Sequence, residues 1–483
     1  MTAASTPILL AGDWTPGAGP ALRIEDPVDG SLVGTVNEAS LDQVDAAVRA
    51  GARAVDESGW HRRPPHRRAD VLYQAARLIV ERAETLADLQ TAENGKTLKE
   101  SRGQATAAAG IVRYFAAVCE TMEGAVPPPR GDYLAVTTHE PFGVVAAMTP
   151  WNSPLTMGAQ KLAPALAAGN AVVLKPSELT TLVSLELARA FADAGLPAGL
   201  LSVLPGGRGV GEALVTHPGV GMVSFTGGTA TGRAIAAAAA PRFLPVVLEL
   251  GGKSPNVVFA DADLDAAARG VASAIFGSGG QSCVAGSRLF VQRPVYDQVV
   301  QRVVAAGAAL RVGPARDPNS DIGPMASFAQ RERVEGYVDL ARGEGGRVLL
   351  GGARPDDPAL AGGAYYLPTV IDGLDHESRV CQEEIFGGVL VALPFDGEDD
   401  LVALADDTVY GLACGLWTRD LAKAWRVARR VKAGTVWINT YKELSIASPF
   451  GGFKDSGLGR EKGLQGLRAY QQTKSIYLGG LEG

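Results

Sequence analysis

The feature that most constrains this chain is a strict alternation of short β-branched apolar runs with helical stretches. It begins with GVVAAMTP at Gly143, continues through a helical stretch near Met157 to Leu166, AVVLKPS, a second helical stretch from about Thr181 to Ala194, and then LLSVLPG. Apolar runs of about four to eight residues bounded by Gly and Pro read as strands, and their alternation with helices predicts a parallel α/β sheet. A second series from about Gly251 to Phe450, with SRLFVQ, RVLLGG, VLVALPF and GTVWIN, predicts a second domain of the same class. The 483 residues agree with this division, because single cores stop growing near roughly 250–300 residues.

Between Ala69 and about Lys99 the spacing of Leu72, Ala76, Ile79, Ala83 and Leu86 predicts one long amphipathic helix. Two segments fall outside both series: EGAVPPPRGDYLAVTTHEP from Glu123 and YQQTKSIYLGG from Tyr470. Proline clusters exclude helix and apolar alternation favours strand, so both read as extended arms of the kind that pair across subunits.

The formal net charge of −7, without any long single-sign run, argues against a nucleic-acid partner. No stretch reaches the roughly 20 apolar residues that a membrane helix needs; the run Ala234 to Ala240 stops at Pro241. The start, MTAASTPILLAGDW, lacks the basic and apolar regions of a secretion signal, so a cytoplasmic location is expected. Cys119, Cys283, Cys381 and Cys414 lie far apart with no metal-type spacing, and no metal is expected. Three of them read as buried filler. His61 and His66, in HRRPPHRR, read as the solvated start of a helix.

The fourth cysteine stands among small residues in GSGGQSCVAGSR, Gly277 to Arg288. Small neighbours allow a substrate to approach, and an accessible thiolate is a nucleophile; a buried free cysteine fits the same pattern, so both readings stay open on these residues. Four further segments flank it in the sequence: TPWNSP at Thr149, LELGGKSP at Leu248, QEEIFGGV at Gln382 and SPFGGFKDSGLGRE at Ser448. Together and in this order, the five resemble the signatures of the aldehyde dehydrogenase superfamily, with similarity running from about Trp14 to Tyr477.

The resemblance implies an α/β fold with a modified Rossmann cofactor domain (residues 1–123 and 142–250), an α/β catalytic domain (251–450) and a small β oligomerisation arm (124–141 and 465–483). It implies that Cys283 attacks an aldehyde, that the Asn152 amide and the Cys283 N–H receive the oxyanion, and that Glu249 activates water to hydrolyse the thioester. The product is a carboxylic acid. A CoA-acylating dehydrogenase would share this fold but commonly lacks the glutamate at Glu249, and a crystallin-like binding protein would lack at least one mechanistic residue.

No G-x-G-x-x-G fingerprint is present. By resemblance the cofactor is NAD, held by Thr149, Pro150 and Trp151, by the strand, glycine turn and helix start at Phe225, Thr226, Gly227 and Gly228, and by Leu250. Lys175, Ser177 and Glu178 in LKPSE, with the turn glycines Gly207 and Gly211, fall at the adenosine half. A carboxylate at Glu178 disfavours a 2′-phosphate, hence NAD over NADP. Glu384 is implied at the nicotinamide ribose and Phe386 near the ring.

Family correspondence puts Ser153, Met157 and Gln160 on one side of the substrate tunnel, Gly277, Ser282 and Val284 beside the nucleophile, and Tyr441, Lys442 and Leu444 opposite. Several relatives that prefer small aldehydes carry bulky aromatics where Ser153, Gln160 and Gly277 stand. A wide, polar tunnel for a bulky, aromatic or oxygenated aldehyde is therefore expected, with Lys442 facing an acidic group. The arms imply a homodimer or homotetramer.

Overall fold

The computed structural model describes residues 5–480; the first four residues of the leading segment and the last three of the second arm lie outside the described residues. The predicted alternation builds a sheet of five parallel strands in the spatial order Val246–Glu249, Met222–Thr226, Val144–Met148, Ala171–Lys175 and Leu201–Val203. Val145, Ala146, Ala147, Val172 and Leu174 are at most 1% exposed, as expected of strands covered on both faces. Ile8–Leu10 and Asp13–Thr15 extend one edge antiparallel, and Gly457–Leu458 extends the other. Chain order reverses between Val144–Met148 and Met222–Thr226, which opens a crevice beyond their carboxyl ends where ligands of such sheets bind.

The second sheet has seven strands, ordered Arg347–Leu350, Thr369–Asp372, Val389–Phe395, Arg288–Gln292, Pro255–Val258, Ala413–Trp417 and Thr435–Ile438, with only the first antiparallel. Its side chains alternate between two cores: Val257, Phe290 and Val391 enter one, and Val258, Leu289 and Leu390 the other.

Three departures from the sequence reading matter. The single helix expected from Ala69 is two, Pro65–Glu81 and Ala83–Asn94, broken at Arg82. The Arg82 guanidinium reaches Glu186 and Asp193 on the helix Thr181–Asp193, at 3.7 and 2.5 Å, an anchor that periodicity does not contain. Residues 451–464, given to neither domain by sequence, return to the first sheet through Gly457–Leu458. The helix Gly463–Arg468 then sets Leu467 into the first core, so the extended arm begins only at Gln471.

The arm itself, Tyr133–Pro141 against Gln471–Gly479, is antiparallel over nine residue pairs, and nearly all of the second strand is exposed. Cys119, Cys381 and Cys414 are buried, whereas Cys283 is half-buried. Among the described residues, no cluster of His, Cys, Asp and Glu could hold a metal ion, and no helix is long and apolar enough to cross a membrane.

Candidate active site

Cys283 follows a turn that only small residues allow. The helix Leu264–Phe276 ends in Gly277–Gly280, where Ser278, Gly279 and Gly280 are all left-handed. Ser278 pays for that conformation with two hydrogen bonds to Glu100, from its N–H at 2.8 Å and its hydroxyl at 2.9 Å. A Cβ at Gly252 would collide with the Cys283 carbonyl oxygen, so the Gly-Gly turn after Glu249 lets the nucleophile loop seat against it.

The thiol opens on a cavity of about 640 Å³ lined from both domains. Burial pushes the Cys283 thiol up to about 12, with the charges of Glu384 and Glu249 adding to it and Lys462 opposing. Asn152, at the carboxyl end of Val144–Met148, lines the same cavity and donates through Nδ2 to the Gln281 carbonyl oxygen at 2.9 Å. Among the described residues the Cys283 backbone N–H has no acceptor.

Glu249 ends its strand 4% exposed, with neither carboxylate oxygen hydrogen-bonded. Burial, then the charge of Glu461, holds its carboxyl well above the usual range, while Lys161, Arg460 and Lys462 pull the other way. Glu461, assigned no role by sequence although it closes the fifth motif, is bonded to Lys161 Nζ at 2.6 Å and to Gln160 Nε2. Lys161 is fully buried and also donates to Ser224 at 3.0 Å.

The cavity is also lined by Pro150, Trp151, Thr226, Gly227, Gly228, Leu250, Glu384 and Phe386. A Cβ at Gly251 would collide with Glu384, and the Gly252 N–H donates to Glu384 Oε1 at 3.0 Å, so the glycine pair also fixes this carboxylate. Phe386, left-handed at φ 63°, meets the Trp151 ring edge-on with centroids 5.2 Å apart. Gly228 caps the helix Thr229–Ala239 with no side-chain hydrogen bond and open space around it, leaving the first helical N–H groups free for an anion. The N–H of Thr149 donates to Lys175 O, and Phe225 is buried in the strand beneath.

Lys175, Ser177, Glu178, Gly207 and Gly211 gather outside this cavity. Lys175 Nζ lies 3.7 Å from Glu178, Gly211 faces the Lys175 stem, and a Cβ on Gly207 would stand 3.4 Å from Glu178 and 3.8 Å from Glu38. Glu38 comes from the distant loop after Leu32–Asn37, and no local signal in the sequence links it to this cluster.

Ser153, Met157, Gln160, Ser282, Val284 and Leu444 line the cavity; Gly277, Tyr441 and Lys442 do not. Tyr441 donates to the Val284 carbonyl oxygen at 3.0 Å from behind the loop. Lys442, left-handed at φ 61°, sends Nζ to within 3.5 Å of the Gly277 carbonyl oxygen. Lys462, Ile446 and Phe450 line it instead.

The model of the family described as "Aldehyde dehydrogenase family" matches residues 14–476. The chain belongs to the aldehyde dehydrogenase family. DhaS of Bacillus subtilis (strain 168) is 40% identical over 474 residues, covering 98% of this chain and 95% of its own. The structure of PnpE from Pseudomonas sp. WBC-3 in complex with nicotinamide adenine dinucleotide is 40% identical, superposes with a TM-score of 0.96 and covers 98% of each chain. Betaine aldehyde dehydrogenase from Staphylococcus aureus, in complex with NAD+, is 36% identical with a TM-score of 0.96, covering 99% of this chain and 95% of its own. All five sequence motifs contribute residues to the lining of the one cavity.

Proposed function

We propose that this chain oxidises a bulky or oxygenated aldehyde to the carboxylic acid with NAD, through a thioester on Cys283. The family fixes the reaction class, NAD-dependent oxidation of an aldehyde. The observation that supports the residue assignment is one cavity lined by a half-buried thiol, the Asn152 amide and an unpartnered buried carboxylate.

NAD fits the other half of that cavity. The open helix start at Gly228 suits the pyrophosphate, Glu384 the nicotinamide ribose, and the wall of Trp151 and Phe386 the ring. Lys175 and Ser177, with Glu178 and Glu38, suit the adenosine ribose, and two carboxylates there disfavour a 2′-phosphate. When bound, the cofactor accepts the hydride.

The Cys283 thiol loses its proton to solvent and the thiolate adds to the aldehyde carbon, with the new oxyanion between the Asn152 amide and the Cys283 N–H. Collapse of this thiohemiacetal expels hydride and leaves a thioester. Glu249, ionised, then takes a proton from water, whose oxygen adds to the thioester carbon; the acid leaves and the Cys283 thiolate is restored. A retained Glu249 favours hydrolysis over transfer to CoA.

Ser153 and Gln160 leave the tunnel wide. Gln160 turns Nε2 to Glu461 and keeps an unpartnered Oε1, a polar wall suited to an oxygenated substrate. Antiparallel arms exposed along one strand are too thin to stand alone, which supports a homodimer or homotetramer. A panel of aromatic, oxygenated and small aliphatic aldehydes read by NADH formation tests the substrate class: higher kcat/KM for acetaldehyde or propionaldehyde would refute it, and higher kcat/KM with NADP would refute the cofactor preference.

A further inference from the structure

Among the described residues, two cations line the cavity. Arg333 lies at the cofactor end, where it donates to the Glu384 carbonyl oxygen at 2.8 Å. Lys462 lies at the other, and also lines an adjoining space of about 470 Å³ with Trp437, Leu444 and Phe450.

The backbone of Lys462 adopts φ 60° and ψ 169°, a region that glycine alone enters readily. Its neighbours hold it there. Phe450 and Glu461 exchange two backbone hydrogen bonds at 2.7 and 2.8 Å, and the Gly463 N–H donates to Ile446 O at 2.8 Å. The strained residue therefore presents its side chain to the cavity rather than to bulk water, at 9% exposure.

The ammonium stands 4.8 Å from the centre of the Phe450 ring. Among the described residues it has no hydrogen bond and no ion pair, although Glu249, Glu461 and Glu443 surround the same space; Glu461 is already matched by Lys161 and Gln160. The charge of Lys462 is met by Glu461 and Glu249 only beyond hydrogen-bond reach, so a ligand carboxylate that bonds it directly offsets more of the cost of its burial. Lys442, the residue that sequence correspondence offered for an acidic group, has its Nζ 3.5 Å from the Gly277 carbonyl oxygen.

We propose that Lys462 is a specificity-determining residue that binds a carboxylate at the end of the substrate remote from the aldehyde, so that the preferred substrates are carboxylated aldehydes. This rests on the reading of Cys283 as the nucleophile of aldehyde oxidation. A carboxylate near the ring of Phe450 completes a cation pair, and the aldehyde end reaches toward Cys283 along the same lining.

The test uses the full-length enzyme with NAD and two matched pairs, succinic semialdehyde against butanal and adipic semialdehyde against hexanal. The carboxylated member is expected to be preferred in at least one pair. K462M should lower that ratio of kcat/KM by about tenfold or more, mainly through KM, as loss of a charged hydrogen bond does, and K462R should restore most of it. Preference for the neutral member in both pairs, or equal losses on both members, would overturn the proposal while leaving aldehyde oxidation standing. Absence of NADH from every aldehyde, aromatic ones included, would overturn the underlying reading as well.

Discussion

The Asn152 side chain donates to the carbonyl oxygen of Gln281 at 2.9 Å, which fastens an amide from the first domain to the loop that carries Cys283. One N–H of the amide is used by that anchor; the proposed mechanism gives the other, with the Cys283 N–H, to the oxyanion. Replacing Asn152 by Ala or Asp removes the donor. Either variant should lower kcat by about 10²–10³ in steady-state assays. A loss confined to KM would argue against an oxyanion role.

The free enzyme should be slow to alkylate at neutral pH. Burial and two carboxylates push the Cys283 thiol up to about 12, so the thiolate fraction rises about tenfold per pH unit below that value. Iodoacetamide labelling of Cys283, corrected with C283A, is expected to climb without levelling between pH 7 and 10. A plateau near pH 8 would show a thiol activated before any ligand binds.

Lys161 and Glu461 form a buried ion pair at 2.6 Å across 300 residues of sequence, joining the helix Pro154–Ala167 to the returning segment. K161M strands the carboxylate and should cost roughly 3–5 kcal/mol, seen as a lower midpoint of thermal unfolding. Adding E461Q should recover part of the loss. No recovery would mean that packing, rather than charge, holds the segment.

What the sequence made legible is local. Both sheets follow from the alternation of apolar runs, because burial on two faces demands contiguous Val, Ala and Leu. Cys283, Glu249, Asn152 and Glu384 each sit inside a contiguous motif, and the fold brings them to one cavity. Glu38 and Lys462 were out of reach because their positions depend on contacts between distant segments and, for Lys462, on a strained backbone. The contact of Lys442 Nζ with the Gly277 carbonyl oxygen, 3.5 Å across 165 residues and from a left-handed backbone, is equally beyond a local reading. The break at Arg82 likewise answers to carboxylates more than a hundred residues away.

In the proposed mechanism oxidation passes through a thioester on Cys283 that Glu249 clears. Intact-mass spectrometry of E249Q, mixed with NAD and an accepted aldehyde, tests this most directly. The variant should release one NADH per active site in a burst and then carry the mass of the acyl group on Cys283, slowly lost as acid. Steady NADH formation at the wild-type rate, with the protein unmodified throughout, would contradict the account.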